Sequence, residues 1–455
     1  MQVVKKFLKK PIRSLSGVNV VAIMSRPYPC PHGKCTYCPS ASGVPESYTG
    51  LEPAARRAYM ENYDPYFQVQ NRLRQFELIG HEPQKIELII MGGTFLYQPK
   101  SYREWFVKEA IRAMNDFPNI KYYSKQIYEI EKENENAKVR DVGLTFETRP
   151  DYGKEKEAKW MLKVGGTRVE LGVQTVYDEI YRIVNRGHTV KDVIESTKIL
   201  KDHGFKIVYH MMLGLPGTDE EMDVRAFKKI FDDQRFRPDM LKIYPTLVIK
   251  GSKLYVDWKN GKYKPITTEE AIKRLVRIKQ FVPKYVRIMR VNRDIPTSVV
   301  DAGVDKSNLR ELVHREMKKM GVKCNCIRCR EVGRNMPRGK IELKRLDYIA
   351  SDRPEIFLSF ESENDVLIGF LRLRIVGDTA FVRELHVYGQ MTKIGEHVDW
   401  QHRGYGKKLL LEAERIAREE YGTKKISVIS GIGVRNYYRK FGYEYDGLYM
   451  SKFLN

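Results

Sequence analysis

The sequence predicts an α/β protein: a parallel β/α array, open or curled into a barrel, then a cysteine-bearing bridge and a smaller α/β module. Three observations predict it. From residue 18 to about residue 296, short apolar runs alternate with longer amphipathic ones, the pattern of a parallel sheet. The 455 residues exceed one typical core. Past residue 340 the character changes to closely spaced strand-like runs.

Strands are expected at 18–24, 85–91, 142–148, 168–172, 206–212, 241–244 and 286–291, each short, apolar and bounded by turn residues. Between them the spacing predicts helices such as 102–115, 155–164, 190–203 and 219–231. Most of the strands end in Gly, Pro or polar turns (GGT, TRP, GVQ, LGLPG). Ligands of such sheets gather at the carboxyl ends of strands, so chemistry is sought in those turns. Residues 298–340 read as a basic bridge. Beyond it come strand-like runs at 356–360, 366–376 and 380–387, a helix at 407–420 and a strand at 425–429. The expected division is therefore 1–297, 298–340 and 341–455.

The net charge is +23, from 81 Lys plus Arg against 58 Asp plus Glu. A charge-rich solvated surface explains many charges but not the excess of one sign, so a nucleic acid is the expected partner. No apolar run is long enough to span a bilayer, and no apolar stretch of a secretory signal follows the basic residues 1–10. The expectation is a cytoplasmic protein without a membrane partner. Six cysteines divide without remainder into Cys30, Cys35, Cys38 and Cys324, Cys326, Cys329. In a reducing compartment such spacing suits metal ligation better than disulfides.

The segment PYPCPHGKCTYCPS places Cys30-x4-Cys35-x2-Cys38 directly after the first strand. Three thiolates on one tight loop can hold three irons of a [4Fe–4S] cluster and leave the fourth open. In radical SAM enzymes S-adenosylmethionine (SAM) binds that iron, and one electron cleaves it to a 5′-deoxyadenosyl radical. Their usual spacing is x3 then x2, so x4 is a departure. A zinc site completed by His32 and an electron-transfer cluster are the alternatives; the loop's place at a strand's carboxyl end favours radical SAM. Gly92, Gly93 and Thr94 end the second strand, where glycine permits close approach of the SAM amino group. Glu147, Gln174 and His210 lie at or near later strand ends as polar SAM contacts, each equally readable as a structural hydrogen bond.

Cys324-x-Cys326-x2-Cys329 lies among lysines and arginines and suits a closed structural zinc site. His314 is the candidate fourth ligand; a second iron–sulfur cluster is the competing reading. Further on, QHRGYG at 401–406 precedes a helix and matches the Q/R-x-x-G-x-G/A turn of GNAT acyltransferases. A helix N-terminus offers free N–H groups to a pyrophosphate, and glycines let the backbone approach. The strand at 380–387 stands where a GNAT strand pairs with the pantetheine arm, and RNYYRKFGY fits the late helix whose tyrosine reaches the thioester. Glu384 and His386 alternate on one strand face and can flank the acyl group, unless one of them is simply surface-facing.

CPHGKCTYCP, MGGTF, TFETRPD, LGVQT, LGLPG, RELHVYG, QHRGYG and RNYYRKFGY occur in one order. Together, over residues 14–452, they resemble the catalytic subunit of Elongator and its free-standing archaeal and bacterial relatives. The resemblance implies a partial (β/α) radical SAM barrel, a zinc-type cysteine linker and a C-terminal GNAT domain. It implies an enzyme that uses a [4Fe–4S] cluster, SAM and acetyl-CoA on the wobble uridine (U34) of the tRNA anticodon. The adenosyl radical would take a hydrogen from the acetyl methyl, the carbon radical would add to C5, and hydrolysis would leave 5-carboxymethyluridine. CoA contacts would fall on Lys85, Glu384, Leu385, His386, Val387, Gly404, Tyr405, Gly406 and Tyr437, with Tyr438 the substitute if the helix is rotated. An electron donor is implied but not identified, and accessory subunits are not required. Family members commonly carry a further basic segment before the first strand; about a dozen residues precede it here, in a chain either naturally short or truncated, and tRNA affinity could suffer. A protein lysine acetyltransferase with a structural iron–sulfur domain is the main alternative, and a noncatalytic tRNA-binding scaffold the second.

Overall fold

The computed structural model describes residues 18–389 and 404–454. The first three residues of the QHRGYG turn and the basic residues 1–10 lie outside the described residues. Seven strands form the first sheet in chain order: β1 (Asn19–Met24), β2 (Lys85–Met91), β3 (Arg140–Thr148), β4 (Gly166–Gln174), β5 (Lys206–Leu213), β6 (Met240–Pro245) and β7 (Arg287–Val291). Each neighbouring pair is parallel. Sequential order means that every crossover advances the sheet in one direction, and the result is a half-barrel whose two edges are β1 and β7. β4 is buried at every position but its last, as expected of a strand covered by helices outside and lumen side chains inside. Two helices, Pro53–Met60 and Pro65–Leu78, fill the long β1–β2 connection. Each starts with a proline, which fits where the first N–H has no intrahelical partner, and Asp64 caps the second by accepting from Phe67 N–H.

The second sheet takes the order β13-β14-β12-β11-β10-β9-β8. Its strands are β8 (Ile341–Ala350), β9 (Arg353–Ser362), β10 (Leu367–Val376), β11 (Thr379–Val387), β12 (Lys425–Val428), β13 (Glu444–Tyr445) and β14 (Met450–Phe453). All pairs are antiparallel except β11 with β12. That parallel pairing runs only from Thr379 to Val382, so β11 and β12 part beyond it and leave a wedge. β8 falls outside the strand runs expected from the sequence. It is a mostly exposed edge strand whose charged positions break up the apolar signal.

One apolar core runs through both sheets and takes in Leu309, Val313, Met317 and Ile327 of the bridge. The seam between the sheets is also ionic. Arg383 of β11 donates to Asp239 at 2.9 Å and to Glu355 at 2.7 Å; Arg374 of β10 donates to Glu355 at 3.0 Å; Lys201 reaches Glu355 at 3.1 Å. The register slips between Arg372 and Leu373 opposite β11, leaving Arg383 as the extra residue of a bulge. A bulge re-aims a side chain, and here the bulged residue is the one that crosses to the barrel.

Candidate active site

The cysteine loop leaves β1 at the carboxyl end of the half-barrel. Cys35 and Cys38 are buried and Cys30 is half-buried. Cys30 Sγ lies 3.6 Å from Thr94 Oγ1, Cys38 Sγ lies 3.1 Å from Ser47 Oγ, and Cys35 Sγ lies 3.3 Å from His32 Nε2 and 3.6 Å from an Arg186 donor. The hydrogen bond from the Cys38 thiol, together with the Arg186 guanidinium, holds Cys35 at about 6 against burial, below the usual thiol range. The ligand atoms of Cys324, Cys326 and Cys329 all lie within 4.8 Å of one another, whereas no three among Cys30, His32, Cys35 and Cys38 meet that condition. One tetrahedral zinc, with bonds of about 2.3 Å to sulfur, draws its thiolates that close. A wider triad fits a multi-iron cluster, so the donors present at Cys30, Cys35 and Cys38 fit a [4Fe–4S] group better than zinc.

The GGT turn divides. Gly93 and Thr94 line the cavity described below, and a Cβ on Gly93 would stand 3.8 Å from Cys30 Sγ. Gly92 packs on Ser25 instead and is absent from that lining, so its glycine serves the close passage of β1 and β2. In the lumen, Glu147 accepts from Tyr48 Oη at 3.1 Å and from Lys242 Nζ at 3.3 Å. His210 Nε2 lies 2.6 Å from Glu170, which also pairs with Lys242. Burial opposes ionisation of Glu170, yet Lys242, His210 and Arg168 hold it well below the usual carboxylate range. Gln174 ends β4 with φ of 74° and faces the same space.

At the opposite end of the half-barrel the wedge of the second sheet opens onto the strand starts. Glu384, Leu385, His386 and Val387 line it from β11, and Lys85 lines it from the start of β2. Burial lowers the Lys85 pKa. Gly404 has φ of 83° and caps the helix Tyr405–Arg415, whose first turn has no side-chain cap. A Cβ on Gly406 would stand 2.8 Å from Tyr437 Oη, so a side chain there would close the turn. Tyr437 is the tyrosine whose hydroxyl reaches the GYG turn. Tyr438 is 6 % exposed and packs edge-on against Tyr443. These residues fit the phosphate and thioester ends of an acyl-CoA.

A single cavity of about 1180 Å³ contains both ends: Cys30, Cys35 and Cys38, the lumen carboxylates, the wedge, the GYG turn and Tyr437 all line it. In the bridge, Cys329 Sγ lies 3.8 Å from His314 Nε2, while the tight group of ligand atoms comprises Cys324, Cys326 and Cys329 without His314. Three thiols this close suit a metal ion. Sequence reasoning passed over Glu170, Lys242 and Arg186, which lie on the cavity. For the first two a signal existed: a carboxylate in TRVELGVQ and an ammonium in LKIYP sit inside strands otherwise built for burial.

Comparison with known proteins agrees with this geometry. The Radical SAM superfamily model matches residues 26–230, the Radical SAM C-terminal domain model residues 238–319, and the acetyltransferase (GNAT) family model residues 328–443. The chain is 53% identical to a tRNA uridine(34) acetyltransferase of Methanocaldococcus jannaschii, covering 98% of this chain and 86% of that protein. It is 44% identical to Elongator complex protein 3 of Homo sapiens, covering 99% of this chain and 86% of that protein. The solved structure of the archaeal Methanocaldococcus infernus Elp3 with an N-terminal deletion superposes with a TM-score of 0.86 at 48% identity, over 97% of this chain and all of the other. The chain therefore belongs to the family of the tRNA uridine(34) acetyltransferases and Elongator complex protein 3, with a radical SAM half-barrel and a GNAT domain.

Proposed function

We propose that this protein modifies the wobble uridine of tRNA at C5, using acetyl-CoA as carbon donor and forming 5-carboxymethyluridine. The observation that carries the reading is the shared cavity, with a cluster-type cysteine loop at one end and an acyl-CoA wedge at the other. When bound, the cluster and SAM supply one electron and a 5′-deoxyadenosyl radical able to take a hydrogen from the acetyl methyl. The chain's own residues do the rest. Gly404 to Gly406 seat the pyrophosphate at a helix N-terminus, Glu384 to Val387 hold the pantetheine arm, and Lys85 and Tyr437 face the thioester. Glu147 and His210, paired with Lys242 and Glu170, keep the lumen polar and are read as polar contacts to SAM. Gly93, Thr94 and Gln174 stand beside the cysteine loop as SAM contacts. The bridge triad is read as a structural zinc site with His314 completing it, and the chain as 1–297, 298–340 and 341–455. The net charge of +23 supports a polyanionic substrate held mainly through phosphates. Among the described residues no helix is long and apolar enough to cross a membrane; the cytoplasm is the proposed compartment. The wedge opens onto barrel strands, which disfavours acetyl transfer to a protein lysine.

The test is anaerobic reconstitution with SAM, reductant, acetyl-CoA and tRNA, followed by nucleoside mass analysis. Carboxymethyluridine that disappears without SAM supports the reading. Acetyl-lysine without modified uridine would replace it with the acetyltransferase alternative.

A further inference from the structure

The segment that follows the helix Asp178–Ile183 touches the cysteine loop at four consecutive residues. Val184 C=O accepts from Thr36 N–H at 3.0 Å, and Asn185 Nδ2 donates to Lys34 C=O at 2.8 Å. Arg186 donates to Cys35 Sγ at 3.6 Å. Gly187, at φ of 76°, passes under His32 so closely that a Cβ would stand 2.7 Å from the imidazole Cγ. A glycine there clears the space that His32 fills. Arg186 is 7 % exposed, donates a second hydrogen bond to Gly172 C=O of β4 at 2.6 Å, and keeps a buried Nε–H that has no partner among the described residues. It faces the same cavity as the three thiols.

We propose that Arg186 tunes the reduction potential of the iron–sulfur cluster held by Cys30, Cys35 and Cys38, by fixing a buried positive charge and a hydrogen-bond donor against the Cys35 sulfur. The inference rests on the cluster reading above. Three thiolates and a [4Fe–4S] core carry net negative charge, and reduction adds one more. A guanidinium buried beside the sulfur favours the more negative, reduced form, and hydrogen bonds to sulfur act in the same direction. Arginine stays charged across the working pH range. Its effect is therefore independent of pH, unlike one transmitted by His32. Arg149, itself paired with Asp151 and in contact with His32, supplies the neighbouring charge but makes no hydrogen bond to a cysteine sulfur among the described contacts.

The test is an EPR-monitored redox titration of the reconstituted full chain without SAM, comparing wild type with Arg186→Gln, Arg186→Met, Arg186→Lys and Asn185→Ala. Iron content is measured alongside. The neutral variants are expected to be harder to reduce by at least tenfold in the one-electron equilibrium, a shift of 59 mV to more negative potential. The shift should be equal at pH 6.5 and 8.5. Arg186→Lys and Asn185→Ala are expected to stay near the wild-type potential, since the first keeps the charge and the second removes only an anchor. A neutral variant with four irons and the wild-type potential overturns the proposal. So does loss of iron from both neutral variants while Arg186→Lys is unaltered, which would leave Arg186 a structural anchor. If wild type itself assembles no [4Fe–4S] signal, the cluster reading falls and the proposal with it, an outcome distinguishable from an unshifted potential.

Discussion

The mouth of the half-barrel and the seam at its other end both bury charged and sulfur-bearing groups, but they handle them in opposite ways. At the seam each cation meets a carboxylate: Arg383 spans Asp239 and Glu355, and Arg374 takes Asp202 and Glu355. The bridge cysteines beside it close on one another. At the mouth the three thiols do not close into one tight group, and Arg186 and Glu46 retain side-chain atoms without a hydrogen-bond partner among the described residues. A buried ion pair holds two elements in one geometry, whereas an unsatisfied polar group is a reservoir for a ligand. Ion pairing marks the part that holds the halves together, although Arg372 Nη1 and Arg383 Nε also lack a hydrogen-bond partner among the described residues; the mouth is marked instead by three thiols that line an open cavity.

The strongest way to break this contrast is to exchange cysteines for alanine in each place. Cys35→Ala is expected to abolish SAM cleavage and uridine modification while leaving the melting temperature of the cluster-free chain unchanged. Cys326→Ala, at a site with 0 % exposure, is expected to lower the melting temperature, and activity should fall only with the folded fraction. If Cys35→Ala unfolded the chain, the mouth would be structural after all. A smaller effect tests the seam. Arg383→Met leaves Asp239 and Glu355 without their main partner and should cost about 3–5 kcal/mol in urea unfolding. A loss of catalysis without loss of stability would contradict its assignment to the seam.

The smallest effect sharpens the rule through its exception. Asp141 lies at the seam on β3, is 0 % exposed, and both its carboxylate oxygens lack a partner among the described residues. Burial raises its pKa to about 7. Because the folded chain holds this proton more tightly than the unfolded chain, the residue's cost grows as pH rises from about 4 to about 7 and is constant above. Asp141→Asn is therefore expected to stabilise the protein by on the order of 2–4 kcal/mol at pH 8 and to change little at pH 4. Equal melting-temperature shifts at both pH values would refute this account.

All seven strands of the half-barrel were legible, because period and turn chemistry are local properties of the chain. The cysteine loop, the GYG turn and the wedge strand were legible for the same reason: each is a contiguous run whose spacing states its chemistry. Edge strand β8 was not, since its exposed positions carry the charges that mask a strand pattern.

The sequence by itself determined the classes of element, the two cysteine groups and the glycine turn that opens a helix. Only the tertiary structure decided that the two ends share one cavity, that Glu170, Lys242 and Arg186 face it, and that Gly92 does not. Those facts depend on side chains far apart in sequence: Arg186 meets Cys35 across 151 residues, and Arg383 meets Asp239 across 144. Local propensity carries no term for such pairs. They arise when apolar burial brings the two sheets onto one core and each charge caught between them must find a partner or a ligand.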